Sequence, residues 1–172
     1  HLNYPEDSYD LHVIADNCTD NTAAVAKAAG ANVLERFDSK NRGKGHALQW
    51  AFEKVLYKEN CEYDAAVIFD ADNLISKDFL RVMNNKLCDG HKVIQGYIDS
   101  KNPDDSWITM SYSIAFWSAN RLFQCARSFL GMGCEIGGTG FCMDVKVLKQ
   151  IGWHATCLAE DLEFTMKLIL SN

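Results

Sequence analysis

Two aspartates one residue apart, Asp70 and Asp72, close the apolar run AAVIF at residues 65–69. Carboxylates so placed repel one another and gain from a cation between them. A hard divalent ion, Mg²⁺ or Mn²⁺, suits such a pair because it takes one or two carboxylates and completes its shell with substrate phosphate oxygens. The pair therefore has the makings of a nucleoside-diphosphate site at a strand end. A solvated turn that caps the next helix is the competing reading.

Four other groups have chemistry to offer. Asp16 follows the apolar run LHVIA at residues 11–15; its carboxylate either accepts hydrogen bonds from a base or, with Asn17, only shapes a turn while Thr19 or Asp20 caps a helix. Arg42-Gly43-Lys44-Gly45 presents cations and free N–H groups to a phosphate, although it lacks the GxxxxGK[ST] pattern and also reads as a solvated loop. Glu160-Asp161 precedes an amphipathic tail, residues 162–170, and either complements a helix N-terminus or supplies a general base. GGTGF at residues 137–141 looks like a dinucleotide signature, but a long helical pattern precedes it and Met143 stands at the third glycine position. Those glycines read instead as a turn that brings backbone close to a ligand or beneath a helix. Trp153 offers a sugar-stacking face or a core ring. His46 and His154 lie near these loops, whereas His1, His12 and His91 have no partner that spacing identifies.

Alternating elements must carry these groups. Apolar runs at 11–15, 32–36, 65–69 and 92–98 read as strands, and residues 19–29, 46–58, a segment opening at Ser76 or Lys77, 107–130 and the tail read as helices, with Gly30 as a stop signal. Strand and helix in alternation imply an α/β domain with a mostly parallel sheet, whose ligands bind beyond the carboxyl ends of the strands. Residues 107–130 repeat apolar side chains at helical spacing and either lie on a membrane surface or pack into the core.

Composition narrows the function. At 172 residues with 48% hydrophobic content the chain is one domain with a sizeable core, and 17 basic against 23 acidic residues leave a charge of −6, which excludes a bulk nucleic-acid binder. An anionic substrate then requires a local basic loop or a cation. Seven cysteines without a C-x-x-C pair suggest a reduced compartment, each reading as a small buried hydrophobe. The longest uncharged stretch, residues 106–120, is shorter than the roughly 20 apolar residues of a membrane span. The start at His1, with no signal-like segment, reads as an excised piece whose membrane segments lie elsewhere.

In order, VIADNCTDNTA (13–23), RGKGHAL (42–48), VIFDADN (67–73), GGTGF (137–141) and AEDLEF (159–164) resemble the family-two glycosyltransferases, nearest the membrane-bound branch of cellulose synthase-like and other polysaccharide synthases. The resemblance implies a GT-A nucleotide-diphospho-sugar transferase fold, a UDP-sugar donor, and inverting transfer to a hydroxyl of a polysaccharide or lipid-linked acceptor. It places Asp16 near the base, Lys44 beside the nucleotide, and Asp70 with Asp72 on ribose and on a diphosphate bound to Mg²⁺ or Mn²⁺. It places Gly138, Thr139, Gly140 and Glu160 on the acceptor side and makes Asp161 the catalytic base. The family's first strand, which sits inside the sheet, its first helix, its QxxRW motif and its membrane helices are missing, so residues 1–172 read as a single, partial catalytic domain. Its expected setting is the cytoplasmic face of the cell membrane, with membrane association through segments outside the chain and no nucleic-acid partner. A sugar nucleotidyltransferase, which usually opens with a Gly-rich triphosphate loop, and a non-catalytic nucleotide-sugar-binding module are the alternatives.

Overall fold

The computed structural model describes residues 2–171; His1 and Asn172 lie outside the described residues. In chain order come β1 (His12–Asp16), α1 (Thr22–Ala28), β2 (Asn32–Arg36), α2 (Lys44–Val55), β3 (Ala65–Ile68), α3 (Phe79–Cys88) and β4 (Val93–Gln95). Then follow α4 (Trp107–Ser118), a π-helical turn (Ala119–Gln124), α5 (Cys125–Phe129), β5 (Phe141–Asp144), α6 (Val145–Ile151) and α7 (Glu160–Leu170). The α/β reading holds.

The pairing corrects the mostly parallel sheet. β1 and β2, joined through α1, pair in parallel from His12 with Asn32 to Asp16 with Arg36. β3 and β4, joined through α3, run the same way but are not neighbours, because β5 lies between them and antiparallel to both. β5 and α6 were not anticipated. The strand is a short apolar run, Phe141-Cys142-Met143, covered on both faces and at most 1% exposed, and it starts directly after the glycine turn that reverses the chain. Gly138 and Gly140 make that reversal at φ +75° and +63°, where a β-carbon is disfavoured.

Among the described residues no strand of one sheet pairs with a strand of the other. Between them lies an apolar cleft of about 210 Å³ lined by Ile14, Leu48, Phe52, Ala66 and Ile68 among others. The cleft leaves Ala65, Ala66 and Val67 only half-buried.

The core sits where α2, β3, β5, α6 and α7 meet, around Leu48, Phe52, Ile68, Phe141, Met143, Leu148, Trp153 and Phe164. Trp153 is 1% exposed, packs edge-on to Phe52 and 4.4 Å centroid-to-centroid from Phe164, and donates its indole N–H to the Gly45 carbonyl at 3.1 Å. It is therefore a core ring with a satisfied polar edge, not a sugar-stacking face.

Several boundaries moved for local reasons. α1 opens at Thr22 because the Asp20 carboxylate accepts both the backbone N–H and the hydroxyl of Thr22, at 3.0 and 2.5 Å. Those bonds, the hydroxyl's first, hold the Asp20 carboxyl below its ordinary range. α2 opens at Lys44, after Gly43 at φ +114°, so Lys44 belongs to a helix and not to a loop. α4 carries the capping box formed by Ser106 and Thr109.

The rod from α4 to α5 corrects the core-packing reading of residues 107–130. Only Ser113 is buried along its three pieces, and Trp107, Tyr112, Leu122, Phe123 and Phe129 are exposed. It presents apolar side chains around its circumference rather than one apolar face. Among the described residues no helix is long and apolar enough to cross a membrane. The cysteines are all free, and only Cys142 is buried; Cys88, Cys125 and Cys157 are exposed, contrary to the buried reading.

Candidate active site

Four segments converge beyond β3. α2 brings Lys44 in its first turn, β3 ends at Ile68 just before Asp70, the turn before β5 brings Gly138 and Thr139, and α7 opens with Glu160 and Asp161. They enclose a cavity of about 510 Å³ lined by Arg42, Lys44, Asp70, Gly138, Glu160 and Asp161, with Thr156, Cys157 and Leu158 at its rim.

Lys44 is the centre of this convergence. Its ammonium group donates to Asp70 Oδ1 at 2.5 Å and to the Gly138 carbonyl at 2.6 Å, and lies 3.8 Å from Glu160 Oε1. The Glu160 side chain is 13% exposed against 44% for Asp70, so one cation serves an inner and an outer carboxylate. Asp161 turns Oδ1 back to the N–H of Leu162 at 2.7 Å, and its Oδ2 stands over Gly138, close to where a β-carbon would be.

The turn is held by side chains of other elements. Thr139 Oγ1 accepts the Asp70 N–H at 3.0 Å and donates to Asn73 Oδ1. Gln95, at the end of β4, accepts the Gly137 N–H at 2.8 Å and donates to the carbonyls of Thr139 and Gly140. Thr165 Oγ1 accepts the Ile136 N–H at 3.0 Å and donates to the Asp161 carbonyl at 2.8 Å, tying the turn's approach to α7. Glu163 accepts the N–H groups of Thr156 and Cys157 and pairs with Lys167 at 2.7 Å. The Lys167 bond foremost, then those of Cys157, lower the Glu163 carboxyl to about 2.

Four expected residues stand outside this cavity's lining: Thr139 and Gly140 in the turn that follows Gly138, and Asp72 and Asp16. Asp72 is exposed, accepts from Asn73 Nδ2 at 3.3 Å, and offers its backbone carbonyl to Lys101. Asp16 is engaged elsewhere: Oδ1 accepts from Arg36 at 2.6 Å and from Asn17 at 3.1 Å. Arg36 is 6% exposed and also bonds Asp38 and the Asn41 carbonyl. Asn17, at φ +54°, exchanges two side-chain bonds with the backbone of Asp38 and fixes the loop. Asp38 itself is lowered to about 2, chiefly by the Asn41 side chain and then its backbone N–H. Asp16 thus has a structural duty that spacing only half indicated.

Sequence reasoning missed Gln95, Thr165 and Arg36 as residues that position the site. Each is a polar side chain on a short strand or in a helix, and no motif marks it. For a cation the donor set is Asp70 and Asp72. Among the described residues no three His, Cys, Asp or Glu side chains form a metal cluster, and two carboxylates fit a hard divalent ion only if substrate oxygens complete its shell.

Comparison with known proteins gives one family. Residues 2–170 match the family described as Glycosyltransferase like family 2. A beta-monoglucosyldiacylglycerol synthase of Nostoc sp. is 30% identical over 98% of this chain and 36% of its own length. A Synechocystis sp. protein of the same name is 26% identical over 98% of this chain and 35% of its length. The chain therefore spans about a third of the length of those relatives. The fold is similar to the crystal structure of glucosyl-3-phosphoglycerate synthase from Mycobacterium tuberculosis in complex with uridine diphosphate. That likeness has a TM-score of 0.55 and 18% identity, over 94% of this chain and 56% of that one.

Proposed function

Because the chain belongs to the Glycosyltransferase like family 2, we propose that it carries the donor site and the base of an inverting, metal-dependent transferase. Its donor is a UDP-sugar and its acceptor a lipid or lipid-linked hydroxyl. The observation that carries this reading is the meeting of Lys44, Asp70 and Glu160 within one cavity that Asp161 also lines. Cation, metal-type carboxylate and candidate base are the groups that displacement of a nucleoside diphosphate requires. Between a polysaccharide and a lipid acceptor, the names of the two relatives favour the lipid, and a lipid acceptor sets the reaction at a membrane surface. UDP, bound in the similar crystal structure, is the nucleotide to try first.

In the mechanism, Asp161 takes the proton of the acceptor hydroxyl. The hydroxyl oxygen bonds the anomeric carbon from the face opposite the diphosphate, and the carbon–oxygen bond to phosphate breaks with its electron pair leaving on the nucleoside diphosphate. Lys44 offers its ammonium group to that departing charge, and Gly138 and Thr139 shape the acceptor side. Asp70 and Asp72 would hold a divalent cation, which when bound neutralises charge on the leaving group.

Calorimetric titration with UDP and UDP-sugars, with Mn²⁺ and with EDTA, tests the donor half. Metal-dependent binding that Asp72→Ala weakens supports it, and no nucleoside diphosphate binding in either condition overturns it. The acceptor half is tested by transfer to diacylglycerol in the protein that carries this chain. Asp161→Asn should lower turnover by a factor on the order of 10²–10⁴ while donor binding persists. Release of UDP supports a transferase, and release of pyrophosphate a nucleotidyltransferase.

A further inference from the structure

Lys44 occupies Oδ1 of Asp70, one of the two oxygens that carboxylate has to offer a cation. Its ammonium group is surrounded by oxygens from three segments: Asp70 Oδ1 at 2.5 Å, the Gly138 carbonyl at 2.6 Å and, farther off, Glu160 Oε1 at 3.8 Å. This is the manner in which a small cation is held, by a carboxylate, a backbone carbonyl and a second carboxylate. A divalent ion added at the same Asp70 oxygen would stand beside the lysine's positive charge, with only that one carboxylate shared between them.

We propose that Lys44 is a resident counter-ion that competes with the divalent metal for Asp70 and that the donor's diphosphate draws it away. The proposal rests on the donor reading above and adds an order to it. Metal binds the donor-free site weakly. When a diphosphate arrives, Lys44 turns its ammonium group to the phosphate oxygens, Asp70 is released to the metal, and the new anion lies between the two cations. Nucleotide and metal then strengthen one another's binding through a residue that binds neither tightly alone. Because such coupling is reciprocal, it is readable from either ligand.

The arrangement follows from local structure. Lys44 stands in the first turn of α2, and its side chain is 31% exposed, so its long stem has room to swing. Gly45, the next residue, is pressed against the 153–156 segment and fixes where that stem starts. The Asp70 backbone is held by its own N–H on Thr139, and its short side chain has far less reach than the lysine's. The lysine is thus the part of the pair that moves.

The test is titration of the chain with MnCl₂ alone, with UDP in EDTA, and with UDP at saturating Mn²⁺. It compares the wild type with Lys44→Met, Lys44→Gln, Asp70→Asn and the Asp70→Asn/Lys44→Met double variant. Circular dichroism confirms that each is folded. Loss of the lysine charge should tighten Mn²⁺ binding to the nucleotide-free chain on the order of tenfold, weaken UDP binding in EDTA, and shrink the mutual strengthening of the two ligands. In the Asp70→Asn background, Lys44→Met should no longer tighten Mn²⁺ binding. Unchanged or weaker Mn²⁺ affinity in folded Lys44→Met and Lys44→Gln overturns the competition, while metal-dependent UDP binding by the wild type leaves the donor reading standing. A wild type that binds no nucleoside diphosphate overturns both.

Discussion

The α-carbon of Gly45 lies against the carbonyl oxygen of Ala155, so closely that a β-carbon would overlap it. The contact joins the first turn of α2 to the segment that leads into α7, and the indole N–H of Trp153 caps the same glycine's carbonyl. Lys44 and the Glu160-Asp161 pair are therefore set relative to one another by a backbone contact one residue from the lysine. Gly45→Ala must push the two segments apart. A cost of about 1–3 kcal/mol is expected from overpacking, read as a lower urea midpoint at unchanged slope, together with loss of UDP affinity. A variant as stable as the wild type would show that the 153–156 segment yields freely.

Arg36 is the cation on which the loop beside Asp16 is built. Its guanidinium group is 6% exposed and bonds the carboxylates of Asp16 and Asp38 and the carbonyl of Asn41. Arg36→Leu strips all three acceptors at once and should cost about 1–3 kcal/mol, the scale for partly buried acceptors left without a partner. Asp16→Asn keeps an oxygen for Arg36 and leaves Asp38 and Asn41 in place, so it should cost much less. Urea denaturation of both variants checks the ranking, and equal costs would refute it.

Local pattern made some elements legible and left others dark. Residues 32–36 were read with the bounds of β2, and β3 to within one residue, because an apolar run between polar loops has few alternatives. The groups of the site were named from spacing, but which of them meet was not, since Lys44 and Gly138 stand 94 positions apart and Gln95 and Gly137 stand 42 apart. β5 was dark because its three apolar residues follow a glycine turn that resembles a loop. Asp16 was left between facing a ligand and shaping a turn, and spacing could not show that a buried arginine on the neighbouring strand holds one of its oxygens. Pairing across strands is tertiary information, and periodicity does not contain it.

Acid should destabilise the chain late. Asp38 and Glu163 are both lowered to about 2, the first chiefly by the side chain of Asn41 and the second by Lys167, whereas their unfolded values lie near 4. A carboxyl lowered on folding contributes stability that is fully present above its unfolded value and is lost as pH falls through its folded one. The contribution of these two groups should be flat from neutrality to about pH 4 and vanish between about pH 4 and 2. Urea unfolding across that range gives the wild-type slope. Asp38→Asn and Glu163→Gln should each be less stable at pH 6 and lose less between 4 and 2. Identical pH profiles for wild type and variants would refute the assignment.

Gln95 is the prediction that separates a held turn from a self-supporting one. Its amide accepts from the Gly137 N–H and donates to the carbonyls of Thr139, Gly140 and Gly96, while the Gly138 carbonyl between those anchors receives Lys44. Gln95→Ala leaves the Gly137 N–H and the Thr139 carbonyl without this partner, at a cost of about 1–3 kcal/mol. Gln95→Glu keeps the acceptor for Gly137 but turns oxygen toward the carbonyls, so repulsion replaces donation and the damage should exceed that of alanine. If the turn sets the cavity, UDP affinity must fall in the same order, wild type above alanine above glutamate. Should both variants bind UDP as the wild type does, while unfolding earlier in urea, Gln95 would serve the sheet alone and the Gly137–Gly140 turn would hold its shape through Thr139 and its own positive-φ glycines.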